Sequence, residues 1–213
     1  MRLTGNLFID GPEGRLEAIL KEPAEPVRRA AVICHPHPLY GGTMHNKVVY
    51  RIAKTFNEAG FAAFRFNFRG VGASAGVHDN GRGEQQDLSA AVDFIQRQYP
   101  ESEIWLAGFS FGAVVTLNFG CYDDRAVALV VAGVPAAIYN NEGLRTCEKP
   151  KLLVHGSFDQ FGPIDQLRRF FEALSRPKEL AVVDGADHFF EGRLDELATA
   201  ISGFIREQSA ATP

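Results

Sequence analysis

The sequence predicts an α/β fold in which helices cover both faces of a doubly wound, mostly parallel sheet. Short, mainly apolar segments recur along the chain, and such segments are typical of strands buried on both faces. Segments with helical periodicity alternate with them after an opening hairpin, as in doubly wound sheets. The length of 213 residues and the apolar content of 46% suit one domain over residues 1–213.

Eight strands can be placed along the chain. The first two, Arg2–Ile9 and Arg15–Lys21, flank Asp10-Gly-Pro-Glu-Gly14, a run of turn-forming residues that predicts a hairpin. The other six are the apolar segments Ala30–Cys34, Ala62–Phe66, Ile104–Gly108, Ala126–Ala132, Lys151–His155 and Leu180–Val183.

Five helices are predicted among these strands. In Lys47–Ala59 the apolar residues recur at four-residue spacing, Asn46 can cap the first turn and Gly60 can end the helix. Ser209–Pro213 is expected to be a tail. The other four helices are Gln85–Gln98, Ser110–Gly120, Ile164–Leu174 and Leu194–Glu207.

Charge and apolarity exclude several classes of partner. The net charge of −4 gives no basis for a nucleic-acid partner. The first residues lack the apolar core of a signal peptide, and no segment has the roughly 18 apolar residues of a transmembrane helix. Cys34, Cys121 and Cys147 are widely spaced and odd in number, which indicates reduced thiols. We expect a cytoplasmic protein without membrane association, and the sequence leaves its oligomeric state open.

A candidate nucleophile lies between the strand that starts at Ile104 and the helix that follows it. Gly108-Phe-Ser110-Phe-Gly112 has the pattern G-x-S-x-G in a strand–turn–helix context, which presents a serine hydroxyl above a sheet on a strained turn. The alternative role for Ser110 is an ordinary helix cap. A second match, Gly72-Ala-Ser74-Ala-Gly76, is followed by more loop, so we interpret Ser74 as a loop residue.

A base and an acid follow later strands in an order that suits this nucleophile. His188 comes after Leu180–Val183 and can take the serine proton near neutral pH. Asp159 comes after Lys151–His155 and can hold the imidazole in the required tautomer. Asp184 and Asp187 are rival acids, but Asp187 adjoins His188 and its side chain should diverge from that ring.

Two backbone N–H groups are needed for an oxyanion hole. One is expected from Phe111, the residue after the nucleophile. The other is expected from the loop after the third strand, where Leu39 is our first choice and Tyr40 the second; proline lacks an N–H. Aromatic residues flank the proposed triad, and they serve either as core or as a substrate pocket. The substrate contacts that we predict are Tyr40, Phe109, Phe158 and Phe189.

Two other chemistries are considered and set aside. His35, His37 and His45 share one loop, but no carboxylate or cysteine pattern accompanies them, so no metal site is predicted. Arg69–Gly76 is glycine-rich, but it lacks the spacing of a dinucleotide-binding loop and does not open a helix. No cofactor is expected, because a serine triad completes ester hydrolysis with water alone.

Four strings give the chain a resemblance to a known family. They are His35-Pro-His-Pro-Leu-Tyr-Gly-Gly-Thr-Met-His-Asn46, Phe66-Asn-Phe-Arg-Gly-Val-Gly72, Gly108-Phe-Ser-Phe-Gly112 and Gly185-Ala-Asp-His-Phe-Phe190. Over almost its whole length the chain resembles small lidless bacterial α/β-hydrolases, related to dienelactone hydrolases and short-chain carboxylesterases. The resemblance implies an α/β-hydrolase fold with eight strands, the second antiparallel, and supports Ser110, Asp159 and His188 as the triad. Dienelactone hydrolases use a cysteine nucleophile, so their lactone substrate is not carried over.

The segment between the sixth and seventh strands bears on the substrate. Gly133–Pro150 is too short for the helical cap domain that many α/β-hydrolases insert here, so an open cleft is expected. We predict a serine hydrolase that cleaves small carboxylic esters through an acyl-enzyme. The alternatives are a thioesterase or small peptidase with the same triad, and a catalytically silent scaffold that binds a small molecule or a protein partner.

Overall fold

One sheet organises the computed structural model, which describes residues 5–138 and 141–211. Its strands are β1 (Gly5–Gly11), β2 (Gly14–Lys21), β3 (Arg29–Cys34), β4 (Ala62–Phe66), β5 (Glu103–Phe109), β6 (Ala126–Ala132), β7 (Lys151–Gly156) and β8 (Lys178–Val183). Over the described residues, these eight strands lie in the order β1-β2-β4-β3-β5-β6-β7-β8. β2 is antiparallel to both of its neighbours, and every other pair of neighbours is parallel. This is the predicted α/β-hydrolase sheet.

Helices cover both faces of the sheet. They are α1 (Lys47–Glu58), α2 (Arg82–Gln98), α3 (Phe111–Gly120), α4 (Ile164–Ala173) and α5 (Leu194–Ala211). α1 and α5 contribute buried residues to the core on one face, whereas α2, α3 and α4 contribute to the core on the other. Neighbouring residues of a strand point to opposite faces, so Trp105 enters the first core and Leu106 the second.

The element boundaries follow local capping. At the start of α1 the Asn46 side chain accepts hydrogen bonds from the N–H groups of Val48 and Val49, as predicted. α2 begins at Arg82, earlier than predicted, because the buried Glu84 carboxylate accepts hydrogen bonds from the N–H groups of Asp79 and Gly81.

The two ends of the chain also depart from the expectation. α5 continues to Ala211, so the prediction of a tail from Ser209 is wrong for 209–211, and residues 212 and 213 lie outside the described residues. The Ser209 hydroxyl donates to the Ile205 carbonyl, a bond along the helix. At the other end, the predicted start of β1 at Arg2 also lies outside the described residues.

The connection between β6 and β7 contains no cap domain in its described part. It holds two short 3-10 turns, Ala136–Ile138 and Glu142–Thr146, and residues 139 and 140 are outside the description. Within the described part of this connection, no cap domain therefore covers the carboxyl ends of the parallel strands. Among the described helices, none is both long and apolar enough to cross a membrane.

Candidate active site

Ser110 occupies a sharp turn between β5 and α3. Its φ of 56° and ψ of −120° lie in a region that a residue with a side chain rarely adopts. Close packing explains the glycines on either side: a Cβ on Gly108 would lie 2.2 Å from the Gly112 carbonyl oxygen, and one on Gly112 would lie 2.4 Å from that of Cys34. The turn therefore holds the Ser110 side chain at the carboxyl edge of the sheet.

Ser110, His188 and Asp159 form one hydrogen-bonded chain. Nε2 of His188 lies 2.9 Å from the Ser110 hydroxyl oxygen, and its Nδ1 lies 2.7 Å from Oδ2 of Asp159. The three residues come from the loops after β5, β8 and β7, and both His188 and Asp159 are buried. The structure thus brings together the three residues that the sequence singled out for the triad.

The rival carboxylates are engaged elsewhere. Asp184 accepts a hydrogen bond from the Ser157 hydroxyl at 3.2 Å. Asp187 accepts from the N–H groups of Phe189 and Glu191, each at 3.0 Å, so its carboxylate turns away from the neighbouring imidazole. Asp159 is accordingly the carboxylate that meets His188.

The environment of Asp159 keeps it ionised. Burial raises the pKa of this carboxyl, but its hydrogen bond with His188 and the other favourable interactions outweigh burial and hold the pKa below its usual value. Its second oxygen accepts hydrogen bonds from the N–H groups of Phe161 at 2.8 Å and Gly162 at 3.0 Å. An ionised Asp159 accepts a hydrogen bond from Nδ1–H of His188, and this leaves Nε2 of the ring facing the Ser110 hydroxyl.

His155, which sequence reasoning missed, lies directly behind this carboxylate. It lies fully buried near the end of β7, and its Nε2 is 2.6 Å from the Gly162 carbonyl oxygen and 3.6 Å from Oδ2 of Asp159. Burial lowers its pKa, so the ring is neutral and Nε2–H is the donor. Its position just before the acid in His155-Gly-Ser-Phe-Asp159 is the signal that could have identified it.

The predicted oxyanion donors divide into one that stays available and two that do not. Phe111 is the first residue of α3, so its N–H is among those that a helix leaves without an internal partner. The N–H of Leu39 instead donates to Nδ1 of His37 at 3.3 Å, and that of Tyr40 donates to the His37 carbonyl at 3.1 Å. Both are used within the loop, which corrects the expectation for the second donor.

The backbone of His37 is better placed for that role. Over residues 5–138 and 141–211, no acceptor takes a hydrogen bond from its N–H. The loop that leads to His37 lies against the first turn of α3. The contact is so close that a Cβ on Gly112 would lie 2.5 Å from the His35 carbonyl oxygen. The ring of His37 also packs against that of Phe111, with 4.9 Å between the two ring centroids.

The predicted aromatic contacts differ in exposure. Phe109 has no exposed surface, and its ring centroid lies 5.1 Å from that of His188. It therefore packs against the imidazole from within the core and is not accessible to a substrate. Tyr40, Phe158 and Phe189 are exposed. Phe161, absent from our predicted contacts, is exposed as well, with its ring 4.7 Å from that of His188.

The remaining polar loop residues have structural contacts. The buried His35 accepts a hydrogen bond from the Phe68 N–H at 3.0 Å and donates to the Pro36 carbonyl at 2.6 Å. Ser74 donates to the Asn67 carbonyl, in agreement with its interpretation as a loop residue. Among the described residues, no group of three or more histidine, cysteine and carboxylate side chains could hold a metal ion.

The eight-stranded sheet, the serine on its sharp turn and the absence of a cap in the described connection define a small lidless α/β-hydrolase. The family model of the serine aminopeptidases of family S33 matches residues 25–144, and the chain belongs to this family.

Several bacterial proteins are similar to this chain over nearly its whole length. An α/β serine hydrolase homologue from Coxiella burnetii is 40% identical, with 95% of this chain and 98% of that chain covered and a TM-score of 0.89. A serine hydrolase without a lid from Xanthomonas campestris is 34% identical, with 100% and 99% covered and a TM-score of 0.89. An uncharacterised protein of Rickettsia prowazekii is 33% identical over 93% of this chain and 87% of its own length.

Proposed function

We propose that this protein hydrolyses small carboxylic esters through an acyl-enzyme on Ser110. The observation that carries the proposal is the unbroken hydrogen-bonded chain from Ser110 through His188 to Asp159. A serine hydroxyl is a weak nucleophile until a base removes its proton, and this chain supplies the base and the group that orients it.

Acylation follows from the geometry. The Ser110 oxygen attacks the ester carbonyl carbon while its proton passes to Nε2 of His188. The carbonyl oxygen becomes an oxyanion, and the N–H groups of Phe111 and His37 are the donors that we propose for it, because neither is used in a backbone hydrogen bond among the described residues. When the tetrahedral intermediate collapses, the imidazolium gives its proton to the alkoxide, and an alcohol leaves.

Deacylation reverses these roles. A water molecule gives one proton to Nε2 of His188 and attacks the acyl carbon. The second tetrahedral intermediate then collapses, Ser110 takes back its proton, and a carboxylic acid leaves. Asp159 stabilises the imidazolium in both halves of the reaction and does not itself take a proton.

The exposed aromatic residues beside His188 support an apolar substrate group. Phe158, Phe161 and Phe189 line the rim on this side, and the described connection between β6 and β7 places no cap over them. An acyl or alcohol chain that lies on these rings buries apolar surface, which stabilises the complex.

The first experiment is hydrolysis of p-nitrophenyl esters from acetate to decanoate. We expect Ser110→Ala to lower turnover by roughly four to six orders of magnitude. Ser74→Ala is the matched control, because it removes the serine of the second G-x-S-x-G string and should leave turnover within about threefold. Undiminished activity in folded Ser110→Ala protein would overturn the proposal.

A second candidate is peptidase action with the same residues, which the family's description as serine aminopeptidases favours. An ester and an anilide of one amino acid, both releasing a nitroaromatic group, separate the two functions. The ester proposal expects the ester alone to be turned over at a useful rate, and faster turnover of the anilide would replace it with the peptidase. An acyl-CoA substrate tests for a thioesterase in the same assay series.

A further inference from the structure

A second imidazole lies beside the two residues whose N–H groups are the proposed oxyanion donors. His78 belongs to the loop between β4 and α2, and its side chain is only 8% exposed. The centroid of its ring lies 4.9 Å from that of His37 and 5.5 Å from that of Phe111. The rings of His37 and Phe111 also contact each other. The three residues therefore form one ring cluster, in which His78 touches both of the others.

A fully buried carboxylate contacts the His78 ring. Oε1 of Glu84, in the first turn of α2, lies 2.8 Å from Nδ1 of His78. Burial raises the pKa of this carboxyl, but hydrogen bonds from backbone N–H groups, among them those of Asp79 and Gly81, outweigh burial and hold the pKa below its usual value. An ionised carboxylate only accepts hydrogen bonds, so Nδ1 of His78 carries a proton in this contact.

The other ring nitrogen of His78 is not accessible to a substrate. Nε2 is buried, and over residues 5–138 and 141–211 it has no hydrogen-bond partner. The ring is thus held by its polar contact with Glu84 and by packing within the ring cluster. The same loop approaches Phe111 at Gly81 as well, where a Cβ would lie 3.8 Å from the Phe111 ring. His78 can therefore influence the reaction only through the residues that it contacts.

We propose that His78, held by Glu84, is a positioning residue for the oxyanion hole. The proposal rests on the proposed ester hydrolysis and on Phe111 and His37 as the oxyanion donors. Phe111 begins α3, whereas His37 lies in the loop after β3, so the two N–H groups belong to separate segments of the chain. His78 packs against both segments and so helps to fix the distance between the two donors. Donors that are held in place before the reaction stabilise an oxyanion without the cost of reorganisation.

His45 provides a matched control for this proposal. It is an exposed histidine in the same loop as His37, and it lies outside the ring cluster. Its backbone N–H donates to the Thr43 hydroxyl at 3.2 Å, and an alanine at this position retains that N–H. His45→Ala therefore removes an imidazole from the loop without disturbing the contacts of His78.

The first test is steady-state hydrolysis of p-nitrophenyl butyrate by the full-length protein and these two variants. We expect His78→Ala to lower kcat by about ten- to a hundredfold and to leave KM within about twofold, because only the geometry of the donors loosens. His45→Ala should keep both constants within about twofold of wild type. Wild-type kcat in folded His78→Ala would overturn this inference and leave the proposed function intact, whereas an inactive wild-type protein would overturn both.

An inhibitor pair separates positioning of the donors from a general loosening of the site. Hexyl trifluoromethyl ketone forms an adduct with Ser110 that carries an oxyanion, whereas the alcohol obtained by reducing this ketone forms none. In His78→Ala the inhibition constant of the ketone should rise by the same factor as kcat falls, and that of the alcohol should change by less than about twofold. Equal rises in the two inhibition constants would overturn the positioning role.

A double-mutant cycle tests whether Glu84 acts through His78. Glu84→Gln should lower kcat by about three- to tenfold in the wild-type background and should have little further effect in His78→Ala. Effects of equal size in the two backgrounds would contradict the role of Glu84 in the proposal. If His78→Ala does not fold, His78→Gln, which keeps an N–H donor for Glu84 but lacks the ring, takes its place in all three measurements with the same expected results.

Discussion

The backbone of Ser110 stores strain that its surroundings make tolerable. A positive φ on a residue with a side chain costs of the order of 1–3 kcal/mol. The close packing of β5 and α3 at Gly108 and Gly112 fixes the turn between them and so keeps Ser110 in this conformation. The consequence is a hydroxyl held within 2.9 Å of the His188 imidazole before any substrate arrives. At this scale, the sequence singled out three side chains that the structure brings together, because their types and their order along the chain are specific to one kind of chemistry.

Sequence reasoning did not identify the residues that act through other residues. His155 meets Asp159 because the loop after β7 folds back to Gly162. The donors Leu39 and Tyr40 fail for a similar reason. Their N–H groups are taken by His37 when the loop closes on itself, and this closure cannot be read from residue types.

His155 yields a prediction at the residue scale. It is a positioning residue, since its Nε2–H fixes the Gly162 carbonyl and thereby the loop whose N–H groups hold Asp159. We expect His155→Phe to lower kcat for an ester substrate by about tenfold with little change in KM, because only the catalytic geometry loosens. His155→Gln retains an N–H donor and should stay within about threefold of wild type.

Both variants are to be compared by steady-state kinetics on protein whose folding is checked by circular dichroism. Equal losses in His155→Phe and His155→Gln would show that the hydrogen bond to Gly162 has no part in the effect. A rise in KM without a fall in kcat would place His155 in substrate binding instead.

At the scale of elements, the apolar segments and the hairpin signal located all eight strands, and the helical periodicity located all five α-helices of the described residues, whereas the short 3-10 helices were not predicted. The boundaries were less well predicted. α2 starts early because Glu84, inside the helix, reaches back to two loop N–H groups. α5 runs past its predicted end, where the Arg29 side chain from β3 donates to Ser209. Such contacts depend on where each element packs, so local patterns do not reveal them.

His35 links the segment after β3 to the segment after β4 by a hydrogen bond, and protonation of its ring should break this bond. His35 directly follows β3, and its ring accepts a hydrogen bond from the Phe68 N–H beyond β4. Burial lowers its pKa from 6.5 to about 4. Between these two pKa values the His35 ring is protonated in the unfolded chain but neutral in the folded protein. The contribution of His35 to the free energy of unfolding is therefore present at neutral pH and is lost as the pH falls below 6.5. We expect the free energy of unfolding to drop by about 2 kcal/mol between pH 7 and pH 5 from this group.

Urea unfolding of wild type and His35→Asn at both pH values measures this contribution. The variant should be less stable at pH 7 but lose less stability on acidification. Parallel losses in the two proteins would contradict the prediction. If the variant does not fold, the NMR chemical shift of the His35 ring in wild-type protein tests the prediction, because it should still be that of a neutral imidazole at pH 5.

At the scale of the whole molecule, the exposed aromatic residues gather at the rim of the cleft. Phe158 and Phe161 are 73% and 53% exposed in the absence of substrate, although large apolar side chains are usually buried. In the described connection between β6 and β7 no cap covers them, so the rim is open to long acyl chains. This arrangement predicts that chain-length preference depends on these rings.

Replacing Phe158 and Phe161 together with alanine should raise KM for p-nitrophenyl octanoate by about tenfold, because the chain loses apolar contact surface. Hydrolysis of the acetate, whose acyl group offers these rings little apolar surface, should change much less than that of the octanoate. Phe8→Ala is the matched control, since Phe8 is an exposed aromatic residue of β1, at the opposite end of the sheet order. Equal losses on acetate and octanoate would contradict the prediction.

β8 is both the outermost strand on its side of the sheet and the last strand of the chain. His188 follows it, whereas Ser110 follows β5 in the interior of the sheet. During synthesis, the nucleophile is therefore complete on the ribosome well before the residue that activates it has been translated. The contact between Ser110 and His188 therefore cannot form until β8 has been translated and has paired with β7, so the proposed hydrolysis can begin only after this edge of the sheet is assembled.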